Sequence, residues 1–184
     1  MNTQLIVSKS DNINNNIFSK VKGNLGNNKP KLGGFWTSTK TEEGNSGWLE
    51  FAMNNDFYED TSSLFIHEAK VSPNAKVLII NSKEDYELAL KTFGKQANSI
   101  ENPLCSPLTK NNMILDLEKI SQVYHGLSLT KNGMIENYQE FYGWDCESTV
   151  WFTLDCLENF KSYSFETVDI GWKIYYNNSI VYMN

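Results

Sequence analysis

The sequence contains no arginine, so all 16 of its basic residues are lysines. A planar guanidinium that grips a phosphate or a carboxylate through two parallel hydrogen bonds is therefore excluded, because lysine cannot reproduce that fork. Acidic residues number 22, which gives a formal net charge of -6 and a pI of about 5.0. This balance lacks the basic footprint of a general nucleic-acid-binding protein.

Histidine and cysteine are scarce as well. Two histidines, His67 and His125, are too few for a histidine-rich metal site, and the three cysteines form no CxxC pair. We therefore expect no metal, no disulfide framework and reduced thiols in a cytoplasmic protein. No run approaches the roughly 20 apolar residues of a membrane span, and the N-terminal MNTQLIVSKS lacks a signal-peptide pattern. We expect no membrane partner.

Asparagine, in contrast, is abundant. It is concentrated in stretches such as DNINNN at 11–16 and GNLGNN at 23–28. Together with the use of lysine in place of arginine, this composition indicates an AT-rich coding sequence. We expect the source to be a low-GC bacterium or one of its phages.

The length of 184 residues fits a single domain, 1–184, that can bury its own core. Runs of β-branched and aromatic residues predict several short strands, and the C-terminus predicts a hairpin that closes on Asn177-Asn178. The predicted strands are 3–8, 35–39, 64–71, 75–82, 126–130 and 147–154.

Fewer segments have the pattern of a helix. The clearest one starts after Ser82, carries Asp85 as the partner residue of a capping box, and ends at Gly94. Two others are predicted at 47–55 and 115–124, whereas 96–112 predicts a loop and Asn132-Gly133 a turn. Many short strands and a few helices without a βαβ rhythm indicate an α+β fold.

The stretch GGFWTST at 33–39 combines two glycines, two aromatic residues and three hydroxyl side chains. On a strand, Phe35, Thr37 and Thr39 face one way while Trp36 and Ser38 face the other. Whichever face is open presents hydroxyls beside a flat aromatic ring, which suits a ligand with an aromatic base and a sugar-phosphate part. The alternative is a core strand that happens to contain threonine.

The stretch GWDCESTVW at 143–151 has similar ingredients. A strand that begins near Cys146 places Glu147 on the same face as Thr149 and Trp151. A carboxylate at such a position is costly to bury unless a neighbour hydrogen-bonds it or the protein uses it. In the alternative interpretation, Asp145 and Glu147 are charges on an edge strand that face water.

Taken together and in this order, these segments resemble the ADP-ribosyltransferase superfamily. LIVSKS corresponds to its first strand, FWTST to its aromatic-hydroxyl strand, GWLEFAMNN to the helix that follows, and CESTVW to the strand whose glutamate orients the nicotinamide ribose of NAD. The resemblance covers most of the chain. It implies an α+β domain of two packed, mainly antiparallel sheets with a few helices.

The resemblance implies that NAD is consumed as a substrate and that ADP-ribose moves to a protein, nucleic-acid or small-molecule acceptor. Thr37, Ser38 and Thr39 would line the nicotinamide side of the pocket, and Trp36 or Phe35 would pack on the cofactor. The catalytic residue would be the glutamate. Glu147 would hold the ribose 2′-hydroxyl and stabilise the positive charge that grows as the glycosidic bond breaks.

The chain departs from this family on the first strand. One branch of the family carries an arginine there and the other a histidine, but neither residue occurs in the first forty positions. Ser8, Lys9 or Ser10 would have to take that place, and Ser8 is our expected cofactor-binding residue on this strand.

Two other interpretations remain open. The chain is either a non-enzymatic binding or inhibitor module on a degenerate scaffold of this kind, such as a bacterial or phage toxin or anti-defence protein, or a globular protein whose strands merely contain threonine and glutamate. Fold resemblance alone does not establish function. An acidic cluster formed by Asp56, Glu59 and Asp60 matches no calcium loop and indicates a solvated surface.

Overall fold

A computed structural model describes residues 3–13, 18–55, 64–97, 113–168, 171–176 and 179–183. Strands dominate these parts of the chain, and four short helices interrupt them. The strands are β1 (Thr3–Ser8), β2 (Lys22–Asn24), β3 (Pro30–Leu32), β4 (Phe35–Thr39), β5 (Phe65–Val71), β6 (Val77–Ile80), β7 (Gly94–Gln96), β8 (Met113–Leu115), β9 (Gly126–Leu129), β10 (Ser148–Trp151), β11 (Leu157–Val168), β12 (Gly171–Tyr176) and β13 (Ser179–Met183). The helices are α1 (Gly47–Asn54), α2 (Lys83–Phe93), α3 (Leu117–Ser121) and α4 (Lys131–Glu136).

Nine strands form one hydrogen-bonded sheet in the order β13-β12-β11-β5-β1-β4-β10-β9-β6. Its neighbours pair antiparallel except for β6 and β9, which run parallel. Two small antiparallel ribbons, β2-β3 and β7-β8, stand apart from this sheet. The α+β class and the mainly antiparallel pairing are thus confirmed.

Strand β4 divides its pairing between two neighbours. Its first three residues, from Phe35 to Thr37, pair with β10, whereas Ser38 and Thr39 pair with β1. Because the same strand carries both ladders, hydrogen bonds run through it from one half of the sheet to the other. The resemblance implied two packed, mainly antiparallel sheets, whereas nine strands of the described residues form a single sheet that is continuous through β4.

The N-terminus of α2 forms as its sequence predicts. Ser82 Oγ accepts a hydrogen bond from the Asp85 N–H at 3.2 Å, and the Asp85 carboxylate accepts one from the Ser82 N–H at 3.0 Å. This reciprocal capping satisfies two backbone donors that the helix itself cannot pair. The buried face of the helix consists of Tyr86, Ala89 and Phe93.

The predicted turn at Asn132-Gly133 is wrong, because both residues lie inside α4. Thr130 caps this helix, and its hydroxyl accepts from the Gly133 N–H at 3.1 Å. A Cβ at Gly133 would lie 2.1 Å from the Ile80 carbonyl oxygen, so the glycine serves close packing of helix against strand. A hydroxyl cap therefore overrides the local turn preference.

Four further predictions are only partly testable or need adjusting. The helix expected at 115–124 is shorter, since Asp116 caps α3 and Leu115 belongs to β8. β12 and β13 pair as the two strands of a hairpin, but Asn177 and Asn178 lie outside the described residues. The same holds for residues 98–112 of the predicted loop and for the acidic cluster at 56–60.

The asparagine-rich stretch at 23–28 is held to distant backbone segments by buried side-chain hydrogen bonds. Asn28 is 1% exposed; its Oδ1 accepts from the Leu115 N–H at 2.7 Å, and its Nδ2 donates to the Glu140 carbonyl at 2.9 Å. Asn24, which is fully buried, accepts from the Leu117 N–H at 3.3 Å. These bonds fix the β2-β3 ribbon and thereby the position of the following residue, Lys29.

Buried apolar side chains form three clusters on the sheet. The largest packs β6, β9 and β10 against α2 and α3, and a small one packs α1 against β1 and β5. The third lies on the opposite side of β1 and includes Ile6, Phe35, Ala69 and Trp151. Within the described ranges, no helix combines the length and the apolar character needed to cross a membrane.

Candidate functional site

The two faces of β4 have different surroundings, as its alternating sequence predicts. Phe35 and Thr37 are buried on the side of the third apolar cluster. Trp36 is half-buried and belongs to the other side, where Ser38 also lies. The open face is therefore the one that presents Trp36 and Ser38.

A cavity of about 310 Å³ lies at this face. Its volume is at the lower end of the roughly 300–1,000 Å³ that is usual for small-molecule sites. Its lining combines apolar β1 side chains, three tryptophans, two serines and one residue of each charge. The lining residues are Leu5, Ile6, Val7, Lys29, Trp36, Thr37, Ser38, Trp48, Gly143, Trp144, Asp145 and Ser148.

Aromatic rings and one lysine shape one wall of this cavity. The rings of Trp36 and Trp144 meet edge to face, with centroids 4.7 Å apart and an interplanar angle of 71°. Lys29 Nζ lies 5.5 Å from the centroid of the Trp36 ring and donates to the Gly143 carbonyl at 3.1 Å. The wall thus holds a cation over an aromatic face, an arrangement that a ligand cation can also adopt.

The Glu147 carboxylate is held where β10 begins beside β4. Its Oε2 accepts from Ser38 Oγ at 2.9 Å and from the Thr39 N–H at 3.0 Å, while Oε1 accepts from Thr39 Oγ1 at 2.6 Å. The side chain is half-buried, and β10 lies between β4 and β9. The interpretation of Glu147 as a water-facing charge on an edge strand is therefore wrong, although Asp145 is exposed.

Ser38 connects this carboxylate to the cavity. It lines the cavity, donates to Glu147 Oε2, and accepts from the Trp48 N–H at 3.2 Å in the first turn of α1. A Cβ at Gly47 would lie 3.4 Å from Ser38 Oγ, which shows how closely this helix start approaches β4. The carboxylate is thus one hydrogen bond away from the cavity wall.

Behind the carboxylate, a polar network crosses three strands. Trp151 Nε1 donates to Thr37 Oγ1 at 2.8 Å, and Thr37 Oγ1 donates to Gln4 Oε1 at 2.5 Å. Gln4 Nε2 then donates to Thr39 Oγ1 at 3.2 Å, and Thr39 contacts Glu147 as described above. Gln4 and Trp151 are fully buried.

The structure brings most of the predicted site residues together. Trp36, Thr37 and Ser38 line the cavity, although the Thr37 hydroxyl is engaged by Gln4 and Trp151 on the opposite face. Thr39 and Glu147 contact each other and are not among the lining residues, but Glu147 bonds to Ser38, which does line the cavity. Five of the six predicted residues thus lie next to one another in the structure, and their roles in binding and catalysis stay predictions.

Ser8, the sixth residue, lies elsewhere. It pairs with Phe65 at the far end of β1, about 10 Å along the strand from Leu5, and its Oγ accepts from the Ser10 N–H at 3.0 Å. It is not among the residues that line the cavity. Its role in cofactor binding stays a prediction without a supporting contact.

Several residues of the site were not among the predicted site residues, and three of them matter most here. Gln4 is the β1 side chain that contacts the hydroxyl strand, and its polar character within TQLIVS was its only signal. Lys29 and Trp144 reach the cavity from the β2-β3 ribbon and from the segment before β10. Neither has a local pattern that predicts such a position.

The described cysteines, of which Cys146 is next to Glu147 in the chain, are not suited to nucleophilic chemistry. Cys146 and Cys156 are free and buried. Burial raises the pKa of each thiol to about 11, whereas nucleophilic attack requires the thiolate. Within the described ranges, no group of three His, Cys, Asp or Glu side chains could hold a metal ion.

Comparisons with protein-family models, with curated proteins and with solved structures found no match for this chain. Its function is therefore inferred from the chemistry of the cavity and of Glu147.

Proposed function

We propose that the protein is an NAD-dependent ADP-ribosyltransferase-like enzyme that binds NAD in the cavity beside Trp36. One observation carries the proposal: the Glu147 carboxylate is fixed by the hydroxyls of Ser38 and Thr39, and Ser38 lines an aromatic cavity. A fixed carboxylate at the edge of such a cavity is suited to a reaction in which positive charge develops on a bound sugar.

The aromatic wall suits the nicotinamide half of NAD. The nicotinamide ring of oxidised NAD is cationic, so it can replace the Lys29 ammonium over the Trp36 ring, where cation–π attraction favours it. Lys29 would then turn to the phosphates as the cationic residue of the cavity lining. The adenosine half would extend beyond the cavity, whose volume is about 310 Å³.

Glu147 retains the capacity to bind a ribose hydroxyl. An ionised carboxylate offers about four acceptor positions, and the protein's own donors occupy at most three of them, two on Oε2 and one on Oε1, because the single Ser38 proton is shared with the Glu147 backbone carbonyl at 3.0 Å. The remaining position on Oε1 accepts the ribose 2′-hydroxyl. This bond strengthens as the sugar becomes positively charged, so it lowers the barrier rather than merely improving binding.

The reaction breaks the bond between the nicotinamide nitrogen and ribose C1′, and the electron pair leaves with nicotinamide. The acceptor nucleophile forms a new bond to C1′ and releases its proton. Ser38 and Thr39 keep the carboxylate in place during these steps, so little reorganisation is required when the charge develops.

A non-enzymatic binding module is the second candidate. It is favoured by the first strand, since β1 reads TQLIVS and contains no cationic residue. Its polar side chain, Gln4, is buried and committed to Thr37 and Thr39. In that case the cavity binds a ligand or a segment of a partner, and Glu147 stabilises the junction of β4 and β10.

Calorimetric titration of NAD into the wild type and into Glu147→Gln, with nicotinamide release measured in parallel, separates these candidates. Binding with release that is lost in Glu147→Gln supports the enzyme, and Glu87→Gln, at an exposed position of α2, is the matched control that keeps its activity. Binding without release in the wild type favours the module. No binding at millimolar NAD contradicts both the enzyme and NAD as the ligand.

A further inference from the structure

The hydrogen bonds behind Glu147 form a chain with a single possible direction. It runs from Trp151 through Thr37, Gln4 and Thr39 to Glu147 Oε1. An indole N–H can only donate, and an ionised carboxylate can only accept. With these two ends, only one orientation of the hydroxyls and of the amide between them makes all four hydrogen bonds.

The central group of this chain is the Gln4 carboxamide. Thr37 Oγ1 already receives the indole proton of Trp151, so its own proton points to Gln4 Oε1. The amide nitrogen of Gln4 consequently faces Thr39 and donates to its Oγ1 at 3.2 Å. The Thr39 hydroxyl proton is then left for the carboxylate, which Thr39 Oγ1 approaches to 2.6 Å.

Burial removes water as a substitute for the bonds at Trp151, Thr37 and Gln4, whereas Thr39 and Glu147 are half-buried. Gln4 and Trp151 are 0% exposed and Thr37 is 4% exposed. A group that loses its partner here cannot recover a hydrogen bond from solvent. The chain therefore acts as one unit, and a break at Gln4 affects the orientation of the Thr39 hydroxyl.

We propose that Gln4 is a positioning residue for Glu147: its carboxamide directs the Thr39 hydroxyl proton to Oε1 and thereby holds the carboxylate in one orientation beside the cavity. The catalytic part of this inference rests on the proposed function, whereas the orienting part is a property of the folded protein alone. Gln4 does not contact the substrate and acts through Thr39.

The orienting part is tested by NMR without NAD. The reporters are the Trp151 indole N–H and the Gln4 side-chain amide, recorded in the wild type, in Glu147→Gln and in the control Glu87→Gln. We expect both reporters to shift in Glu147→Gln and neither to shift in Glu87→Gln. Unchanged reporters in Glu147→Gln overturn the proposal.

A double-variant comparison then tests whether Gln4 transmits the effect. In a Gln4→Met background, adding Glu147→Gln should no longer shift the resonance of the Trp151 indole N–H. The chain of hydrogen bonds is already broken between the two ends in that background. An undiminished shift in that background overturns the proposal. The reporters come from the folded protein, so this result stands whether or not NAD is the ligand.

The catalytic part is tested by nicotinamide release. We expect Gln4→Met to lower kcat by roughly tenfold to a hundredfold, as misplaced catalytic groups do, while the Kd for NAD stays within about twofold of the wild type. Gln96→Met, the same change at an exposed position of β7, should retain kcat. An unchanged kcat in Gln4→Met, or a loss of affinity equal to the loss of kcat, overturns the role.

Failure of this proposal and failure of the proposed function give different results. If the wild type does not release nicotinamide, the proposed function fails, and the resonance data alone decide whether Gln4 orients Glu147. If the wild type is active and Gln4→Met is equally active, the proposed function stands and the positioning role is overturned.

Discussion

The two faces of β4 are built from similar residues but have opposite properties. On one face, the Thr37 hydroxyl is buried, accepts from Trp151 and donates to Gln4. On the other face, Trp36 is half-buried and lines a cavity together with Ser38. A single strand therefore carries a closed, fully bonded face and an open one.

The difference lies in what the neighbouring strands present. On the closed face, β1 and β10 contribute Gln4 and Trp151, whose polar groups match those of Thr37. On the open face, β1 contributes Leu5, which pairs with Ser38 and cannot satisfy a hydroxyl. Because Ser38 finds its partner in Glu147, the carboxylate becomes part of the open side.

The largest expected effect comes from Gly33→Ala, which should disrupt both faces. Gly33 has a φ of +79°, and a Cβ there would lie 2.2 Å from the Lys20 carbonyl oxygen. We expect a loss of at least about 3 kcal/mol in the free energy of unfolding, since backbone strain and a clash add together. Chemical denaturation measures this loss.

Gly44→Ala is the control for that experiment. Gly44 has a φ of +90°, but a Cβ there would have no neighbour within 4 Å. Gly44→Ala should therefore lose only the free energy of unfolding that the positive-φ backbone conformation costs an alanine. Equal losses in the two variants would contradict the importance of the close contact at Gly33.

Thr37→Val should break the closed face alone. The change leaves the Trp151 indole N–H and the Gln4 carbonyl oxygen buried without their shared partner. We expect a loss of roughly 2–4 kcal/mol in the free energy of unfolding, because two buried polar groups become unpaired. Thr37→Ser, which keeps the hydroxyl, should lose clearly less, and a Thr37→Val variant as stable as the wild type would refute the network.

A pair of aromatic variants compares the two faces directly. Trp36→Leu, on the open face, should raise the Kd for NAD by about tenfold through the loss of the aromatic contact, and it should also lower stability because Trp36 packs against Trp144 and the large apolar cluster. Phe35→Leu, on the closed face, should lower stability by about 1 kcal/mol and leave the Kd unchanged. If the two variants changed the Kd for NAD equally, the ligand would not lie over Trp36.

The smallest effect concerns His67, which extends the closed face across β1. His67 pairs with Ile6, is 0% exposed, and contacts Ser162 Oγ at 2.7 Å and the Ser10 carbonyl at 2.9 Å. Burial lowers its pKa below the ordinary 6.5, although the Ser10 contact and Asp11 oppose the shift. The unfolded chain therefore binds this proton more readily than the folded one.

It follows that His67 reduces stability as the pH falls through 6.5. Between pH about 7.5 and about 5.5, denaturation curves of the wild type should show a decrease in the free energy of unfolding. This decrease should be smaller in His67→Gln. A drop of the same size in His67→Gln would contradict this origin.

Local patterns predicted the parts of the fold that depend on neighbours in sequence. The alternation of β4 correctly assigned Trp36 and Ser38 to one face and Phe35 and Thr37 to the other. The Ser82 cap likewise predicted the start of α2. Periodicity and capping act over a few residues, so a single sequence contains them.

Long-range contacts were not predictable in the same way. Asn28 bonds to Leu115 and Glu140, which lie 87 and 112 residues away. From the sequence, the abundance of asparagine had indicated only an AT-rich coding sequence. The position of Lys29 over Trp36 depends on those bonds. Gln4 gained its role only because β1 and β10 both pair with β4.

The most direct test of the account is a crystal structure with an NAD analogue whose nicotinamide bond cannot be cleaved. We predict that the nicotinamide ring lies over Trp36 in the cavity and that the ribose 2′-hydroxyl is about 3 Å from Glu147 Oε1. An analogue bound at another site, or an empty cavity at saturating analogue, would contradict the account.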